Sequence, residues 1–341
     1  MKRGAAVTES FPPVITRLIG VTILLGIVLL VCAFIGISVG PSGVDFAQTL
    51  AALTGKVDTS SMSWTIIWQV RLPRVALAAA VGATLALGGL VFQALLRNTL
   101  AEPYILGVSG GSAVGAILGI IAGFSNFPGI ALTSFIGSMG ILALVLALAA
   151  GRSILNKDSL LLGGVMMNAF CGAVIMFLIS LTKTSQMHHI LFWLMGDLSM
   201  FTQERMPVLL AVIPCFILIL ILARPMNLLL MGEEAAAASG INVNLVSMVL
   251  LIATSLMVSI VVCQSGLVGF VGLVVPHVLR MMLGPDHRLL VPACLLGGGS
   301  YLIFCDLLAR TLPSQGEMPV GIITAMIGAP LFIFLLWRAK R

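Results

Sequence analysis

Long apolar stretches separated by short polar breaks run along almost the whole chain. A helix that crosses the hydrocarbon core of a bilayer needs about 20 apolar residues. Cutting at charges, Gly/Pro clusters and polar runs predicts ten such spans, near residues 18–39, 75–96, 104–122, 130–150, 160–182, 206–223, 244–263, 270–284, 289–310 and 320–337. The third and eighth are short and interrupted by glycine. An even number of crossings puts both termini on one side. The first run, from Leu18 to Val39, is longer than a signal-peptide core and no small-residue cleavage pattern closes it, so it is expected to remain as the first helix. The expected fold class is all-α: a polytopic integral membrane protein of about ten transmembrane helices, with residues 1–341 forming a single transmembrane domain and no soluble domain attached.

Composition sharpens this. The chain is 341 residues long, 60% hydrophobic and 9% charged, with a mean hydropathy of +1.16. Soluble domains carry about 25% charged residues, so a soluble globule is excluded. The net charge of +6 is spread over single basic residues, which argues against nucleic acid and for a role in orientation. With both termini inside, the inner segments hold Lys2, Arg3, Arg17, Arg97, Arg152, Lys157, Arg224, Arg280, Arg288, Arg338, Lys340 and Arg341, against Lys56, Arg71, Arg74, Lys183, Arg205 and Arg310 outside. Twelve against six places both termini in the cytoplasm. The six cysteines lie inside apolar runs without CxxC spacing and read as small buried hydrophobes. There is no GxxxxGK[ST] motif, so ATP hydrolysis would have to come from a partner.

Gly107, Gly111, Gly115 and Gly119 recur every four residues, a stripe that lets helix backbones approach closely in lipid. Gly82, Gly88 and Gly89, and Gly297, Gly298 and Gly299, are suited to the same task. Whether these faces pack within the chain or between two copies is open on sequence alone.

An ordered set of motifs follows. Arg71-Leu-Pro-Arg74 leads into a Gly-rich helix ending near Gln93, then Arg97-Asn98-Thr-Leu-Ala-Glu-Pro103-Tyr-Ile-Leu-Gly107. Further on come Leu161-Leu-Gly-Gly-Val-Met-Met-Asn168, Trp193-Leu-Met-Gly-Asp197, Gly232-Glu-Glu-Ala and Gly266-Leu-Val-Gly-Phe-Val-Gly-Leu-Val-Val-Pro276-His277-Val-Leu-Arg280. Asp286-His-Arg288, Asp306-Leu-Leu-Ala-Arg310 and Glu317-Met-Pro-Val-Gly321 complete the series, closing with Gly328-Ala-Pro330. In this order they resemble the permease subunits of the ABC importers that take up iron-siderophores, haem and cobalamin, over roughly residues 20–338. One departure is Thr99, where the family usually has proline after the asparagine; the turn there loses a fixed φ.

The resemblance implies roles. Arg71, Arg74 and Arg310 run against the positive-inside bias, and a guanidinium offers a planar fork that pairs bidentately with carboxylate. In the family such arginines receive glutamates from the two lobes of an extracytoplasmic substrate-binding protein. Snorkelling or internal pairing would use the same residues, and Asp306 with Arg310 at i,i+4 is an intrahelical pair in its own right. The inner loop at about 225–243 carries a Glu/Ala segment that Gly240 is placed to end, with Glu233 and Glu234 at the dipole's positive end. By resemblance it is the coupling helix that sits in a groove of a separate ATPase, through Glu233, Glu234, Ala235, Ser239 and Gly240. On composition alone it is a surface connector.

By resemblance, too, the cytoplasmic gate falls near Asn156, Lys157, Asp158 and Ser159, where an ordinary polar loop reads the same way. The pathway is expected between two protomers, with Met166, Met167, Asn168 and Met176 of the fifth span as candidates. Methionine adapts to a bulky, partly apolar cargo, while core packing is the favoured reading of any one of them taken singly. His188 and His189 read as an interfacial polar pair, and Pro276-His277 as a break in the eighth helix. No catalytic triad and no metal-ligand spacing occurs, so neither catalytic residue, metal nor cofactor is expected, ATP being bound by the partner.

The sequence thus reads as the transmembrane permease subunit of a binding-protein-dependent ABC importer for an iron chelate (siderophore or haem) or cobalamin, in the cell inner membrane. Its expected partners are a second copy of itself, two ATP-binding cassette ATPases, a substrate-binding protein and the lipid bilayer. The rival class is an ion-coupled secondary transporter, which places ionisable residues or broken helices at the bilayer midplane. Here nearly every charge falls at a helix end or loop, with Asp306 the nearest exception.

Overall fold

The computed structural model describes residues 14–339 apart from 41, 42, 44, 59, 125, 150–156, 314 and 315. Among these the ordered elements are all helical. They are α1 (Val14–Ser38), α2 (Phe46–Leu53), α3 (Met62–Leu95), α4 (Val108–Ile121), α5 (Ala131–Ala149), α6 (Lys157–Leu181), α7 (Thr184–Leu194) and α8 (Gln203–Ile221), followed by α9 (Ala223–Met231), α10 (Glu233–Ala238), α11 (Val243–Ser265), α12 (Val271–Leu283), α13 (His287–Thr311) and α14 (Val320–Ala339). Seven described helices are long and apolar enough to cross a bilayer: α1, α3, α5, α6, α8, α11 and α13. The shorter apolar helices α4, α12 and α14 fall on the three remaining expected spans. The two flagged as short are short: 14 residues in α4 and 13 in α12, about 20 Å each against a core of about 30 Å. A 3₁₀ turn, Pro103–Leu106, precedes α4 and ends at Gly107 with φ +76°. Pro103 and Leu106 are buried, the condition under which irregular backbone is tolerated at membrane depth.

α3 is the central helix. Its apolar window is 83% buried, and it packs along α13, α11 and α12. α1 lies on α13 with Leu25, Leu29 and Ala33 partly covered and no residue of its hydrophobic window fully buried, Ile15, Ile19, Leu24 and Leu30 among the exposed residues. That is the pattern of a lipid-facing helix. α3 widens into a π turn over Ile66–Arg71, just before Pro73. Proline has no N–H to give and its ring presses on the i−4 carbonyl, so the backbone opens there. The opening sets the heights of Arg71 and Arg74 on the helix.

Glycine lets the layers close. A methyl on Gly82 would overlap the Gly298 carbonyl, and one on Gly298 the Gly82 carbonyl, so α3 and α13 meet backbone to backbone. Gly111 and Gly137 do the same between α4 and α5, and Gly115 sits on the Thr133 carbonyl. The Gly107–Gly119 stripe therefore packs within the chain. All six cysteines are free thiols, four buried and two half-buried.

Two elements differ from expectation. Pro276 does not break α12, which runs unbroken from Val271 to Leu283. The bond that Pro276 cannot make would have used the Gly272 carbonyl, and that carbonyl accepts instead from Gln93 Nε2 of α3, at 3.2 Å. Arg280 Nη2 in turn donates to Gln93 Oε1, at 3.0 Å. The second difference is α9, which fills the first half of the supposed inner loop and buries Ala223, Met226 and Leu229.

Valine at Gly82 or Gly298 is expected to force the α3–α13 contact open, at about 1–3 kcal/mol or more, and to lower the thermal unfolding temperature in detergent. Valine at Gly20 or Gly26 of α1, where nothing lies within 4 Å, should leave it unchanged. Equal behaviour of the two pairs would refute the packing assignment.

Candidate functional site

Three arginines, one aspartate and one glutamate converge at the Arg71 end of α3. Asp306 of α13 is fully buried. Arg74 Nε donates to its Oδ1 at 2.9 Å, and Arg310 Nε stands 3.0 Å from its Oδ2 at ion-pair distance, though off the line of a hydrogen bond. Arg74 Nη1 donates to Glu317 Oε2 at 2.5 Å. Arg71 Nη1 donates to the carbonyls of Ile37 and Ser38, both at 2.7 Å, and Arg310 Nη2 to that of Gly36 at 3.1 Å. The last carbonyls of α1 lack intrahelical partners and carry the negative end of the helix dipole. The two guanidiniums satisfy both. Arg71, Arg74 and Arg310 are thus 4–6% exposed and engaged inside the chain. The Asp306–Arg310 pair weighed on sequence grounds is present, and Asp306 answers Arg74 as well.

Among the described residues the cluster holds three guanidiniums and two carboxylates. Glu317, on the segment between α13 and α14, is its least buried member, with 35% of its side chain exposed. That segment is tied down: Met318 N–H donates to the Ala309 carbonyl at 3.1 Å, Val320 N–H to Gly196 at 3.0 Å and Gly321 N–H to Met195 at 3.1 Å. Met195 and Gly196 immediately follow α7. Beside them opens an apolar cavity of about 480 Å³, lined by Tyr104, Leu194, Met195, Leu267, Gly269, Gly321, Ile322, Ala325 and Met326. Tyr104 holds one wall, its hydroxyl donating to the Val268 carbonyl and accepting from the Val268 N–H. Glu102 accepts from the Phe270 N–H at 3.2 Å, fastening the Asn98–Pro103 turn to the same wall. Glu317, Tyr104, Met195 and Gly321 belong to the sequence motifs, but no motif assigns them to this place. They come from three distant segments, and nothing in the spacing of those segments shows that they meet.

The pathway candidates separate. Met166 and Met176 are exposed on α6, whose window is only 11% buried. Met167 packs against the core, and Asn168 is exposed. His188 packs against Phe192 in a tilted ring pair, centroids 4.3 Å apart. Of the gate residues, Asn156 lies outside the described residues, Lys157 and Asp158 open the backbone of α6, and Ser159 is exposed.

At the other end of α3, the Glu/Ala segment forms the expected short helix, α10, with Glu233 and Glu234 in its first turn. Ser239 caps it, its hydroxyl donating to the Ala235 carbonyl at 2.9 Å. Gly240 follows with φ +82°. Ala236 is its only buried residue, and Glu233, Glu234, Ala235, Ser239 and Gly240 are all exposed. A cavity lined by Leu95, Arg97 and Glu233 sets α10 beside the end of α3.

A polytopic helical chain with a buried ionic cluster at one end of its central helix and an exposed surface helix at the other has the form of a membrane-transport subunit. The profile of the FecCD transport family matches residues 28–338. The vitamin B12 import system permease protein BtuC of Klebsiella pneumoniae subsp. pneumoniae is 37% identical over 276 residues, 80% of this chain and 83% of that one. The hemin transport system permease protein HmuU of Yersinia pestis is 40% identical over 292 residues, 83% and 86% of the two chains. A solved inward-facing structure described as a metal-chelate type ABC transporter superposes with a TM-score of 0.81 at 33% identity, covering 94% of this chain and 99% of that one. The chain is a transmembrane permease subunit of an ABC importer. It belongs to the FecCD transport family.

Removing Asp306 would take the shared carboxylate from two buried guanidiniums, leaving Arg74 with Glu317 and Arg310 with backbone carbonyls alone. Asp306→Ala is expected to destabilise the chain by about 3–5 kcal/mol, read as a fall in unfolding temperature of the purified protein. An unfolding temperature equal to the native one would show that the cluster holds nothing together.

Proposed function

We propose that the two ends of α3 are two docking surfaces: the arginine cluster receives acidic side chains of a substrate-binding protein outside, and α10 sits against an ABC ATPase inside. The observation that carries this is their separation. From Arg74 to Leu95 the helix rises about 32 Å, the thickness of the hydrocarbon core. One end has an excess of guanidinium over carboxylate, and the other an exposed acidic helix that its own chain barely covers. In this reading two copies of the chain pair across the uncovered face of α6, in the inner membrane with both termini cytoplasmic. Two ATPase subunits bind ATP and supply the energy, so the chain is a non-catalytic subunit without a cofactor of its own.

The cargo is an iron chelate, haem or cobalamin. Support comes from the cargoes named for the relatives and from a cavity that is wide, apolar and edged by Met195 and Met326, side chains that adapt to bulky ligands. In this reading Asn156, Lys157, Asp158 and Ser159 belong to the inner gate, and Met166, Met167, Asn168 and Met176 to the pathway between protomers.

Because the arginines are buried and paired, charge reversal would disturb the fold as well as docking. Lysine keeps the charge and loses the fork. Arg71→Lys and Arg74→Lys, in the assembled complex, are expected to weaken docking of the binding protein about tenfold (about 1.4 kcal/mol), with a steep dependence on salt. Docking that is unchanged and insensitive to salt would sink the outer assignment. Glu233→Lys with Glu234→Lys should uncouple ATP hydrolysis from transport while the chain still inserts and dimerises. Full transport by that double variant would sink the inner one.

A further inference from the structure

We propose that Glu317 is an internal stand-in for the binding-protein carboxylate, holding Arg74 until docking and passing its own displacement to the end of α7. The inference rests on the outer docking reading and adds a residue and a route to it. Arg74 has two carboxylate partners with opposite freedoms. Asp306 is fully buried and shared with Arg310, so losing Arg74 would leave it half-paired away from water. Glu317 is one-third exposed and has Arg74 as its ion-pair partner, so it alone can turn outward into water. An incoming acid that reaches this guanidinium therefore exchanges with Glu317 and leaves Asp306 in place.

The consequence follows from what Glu317 is attached to. Three and four residues on, Val320 N–H and Gly321 N–H are bonded to the carbonyls of Gly196 and Met195 just after α7, and Met195 and Gly321 form part of the cavity wall. One residue on, Met318 N–H is held by Ala309 in the last turns of α13. In this proposal the displacement of Glu317 draws on the short backbone from 318 to 321 and loads its bonds to Ala309, Gly196 and Met195. Arrival of a carboxylate at Arg74 is thereby felt at the cavity, with no movement of the α3–α13 contact.

A competitor inside the chain also sets the affinity. If Glu317 holds Arg74 nine-tenths of the time, the apparent dissociation constant for docking is raised about tenfold. The test measures docking of the purified cognate binding protein to the full permease–ATPase complex in lipid nanodiscs, for the native chain, Glu317→Gln, Glu317→Asp and Arg74→Lys. It is paired with amide hydrogen exchange at Val320 and Gly321. The expected result is docking about tenfold tighter in Glu317→Gln, native affinity in Glu317→Asp, and faster exchange at both amides when binding protein is added to the native complex. Unchanged affinity in Glu317→Gln, while Arg74→Lys loses affinity, overturns the stand-in and leaves docking at the arginines standing. Unchanged affinity in both variants overturns the two together. Tightening by Glu317→Asp as large as by Glu317→Gln would assign the effect to shape, and unchanged exchange on docking would remove the route to α7.

Discussion

A carboxylate with no access to water, Asp306, organises the Arg71 end of this protein. A buried charge is tolerated only when it is paired, and in a bilayer the alternative to pairing is worse. Asp306 therefore holds Arg74 from α3 and Arg310 from its own helix. Arg310, joined by Arg71, then has nitrogens to spare for the open carbonyls at the end of α1. Three helices are joined by one chain of charge and dipole, and Glu317 adds the segment leading into a fourth. No hydrophobic force between helices is available in lipid to do this. Specific polar contacts at the ends and backbone contact at the glycines do it instead.

The spans were legible in the sequence because lipid imposes a simple length and polarity rule, and all ten expected segments fall on apolar helices. The short α10 was legible because Glu, Ala and Gly240 encode a helix start, body and stop locally. Other features depend on contacts between distant residues. Arg74 and Glu317 are 243 residues apart, and no local pattern says that they meet. α9 was read as loop because Arg224, Pro225 and Asn227 look polar in a window, whereas its buried face is carried by Ala223, Met226 and Leu229. Pro276 reads as a breaker by local rules, and only the position of Gln93 explains why the helix continues.

The site shows the same division. The residue types and their order picked out three arginines that the structure brings to one end of α3. Their burial, and the fact that their first partners are internal, could not be read from types and order. An arginine that docks a partner and an arginine that closes a helix end have the same sequence signature, since both tasks ask for a forked cation near oxygen. In this chain the helix-closing task is visible, so any docking at these residues would use groups that the fold has already oriented.

The bond between Gln93 and the Gly272 carbonyl has a mechanical meaning beyond stability. A helix that surrenders one of its own rungs to a neighbour is keyed to it at a single height. With Arg280 clamping the other side of Gln93, α3 and α12 cannot slide past each other by a turn without breaking both bonds at once. They can still rotate about that point, as two rods pinned by one bolt. Relative movement between the centre of the subunit and α12 is thereby limited to rocking.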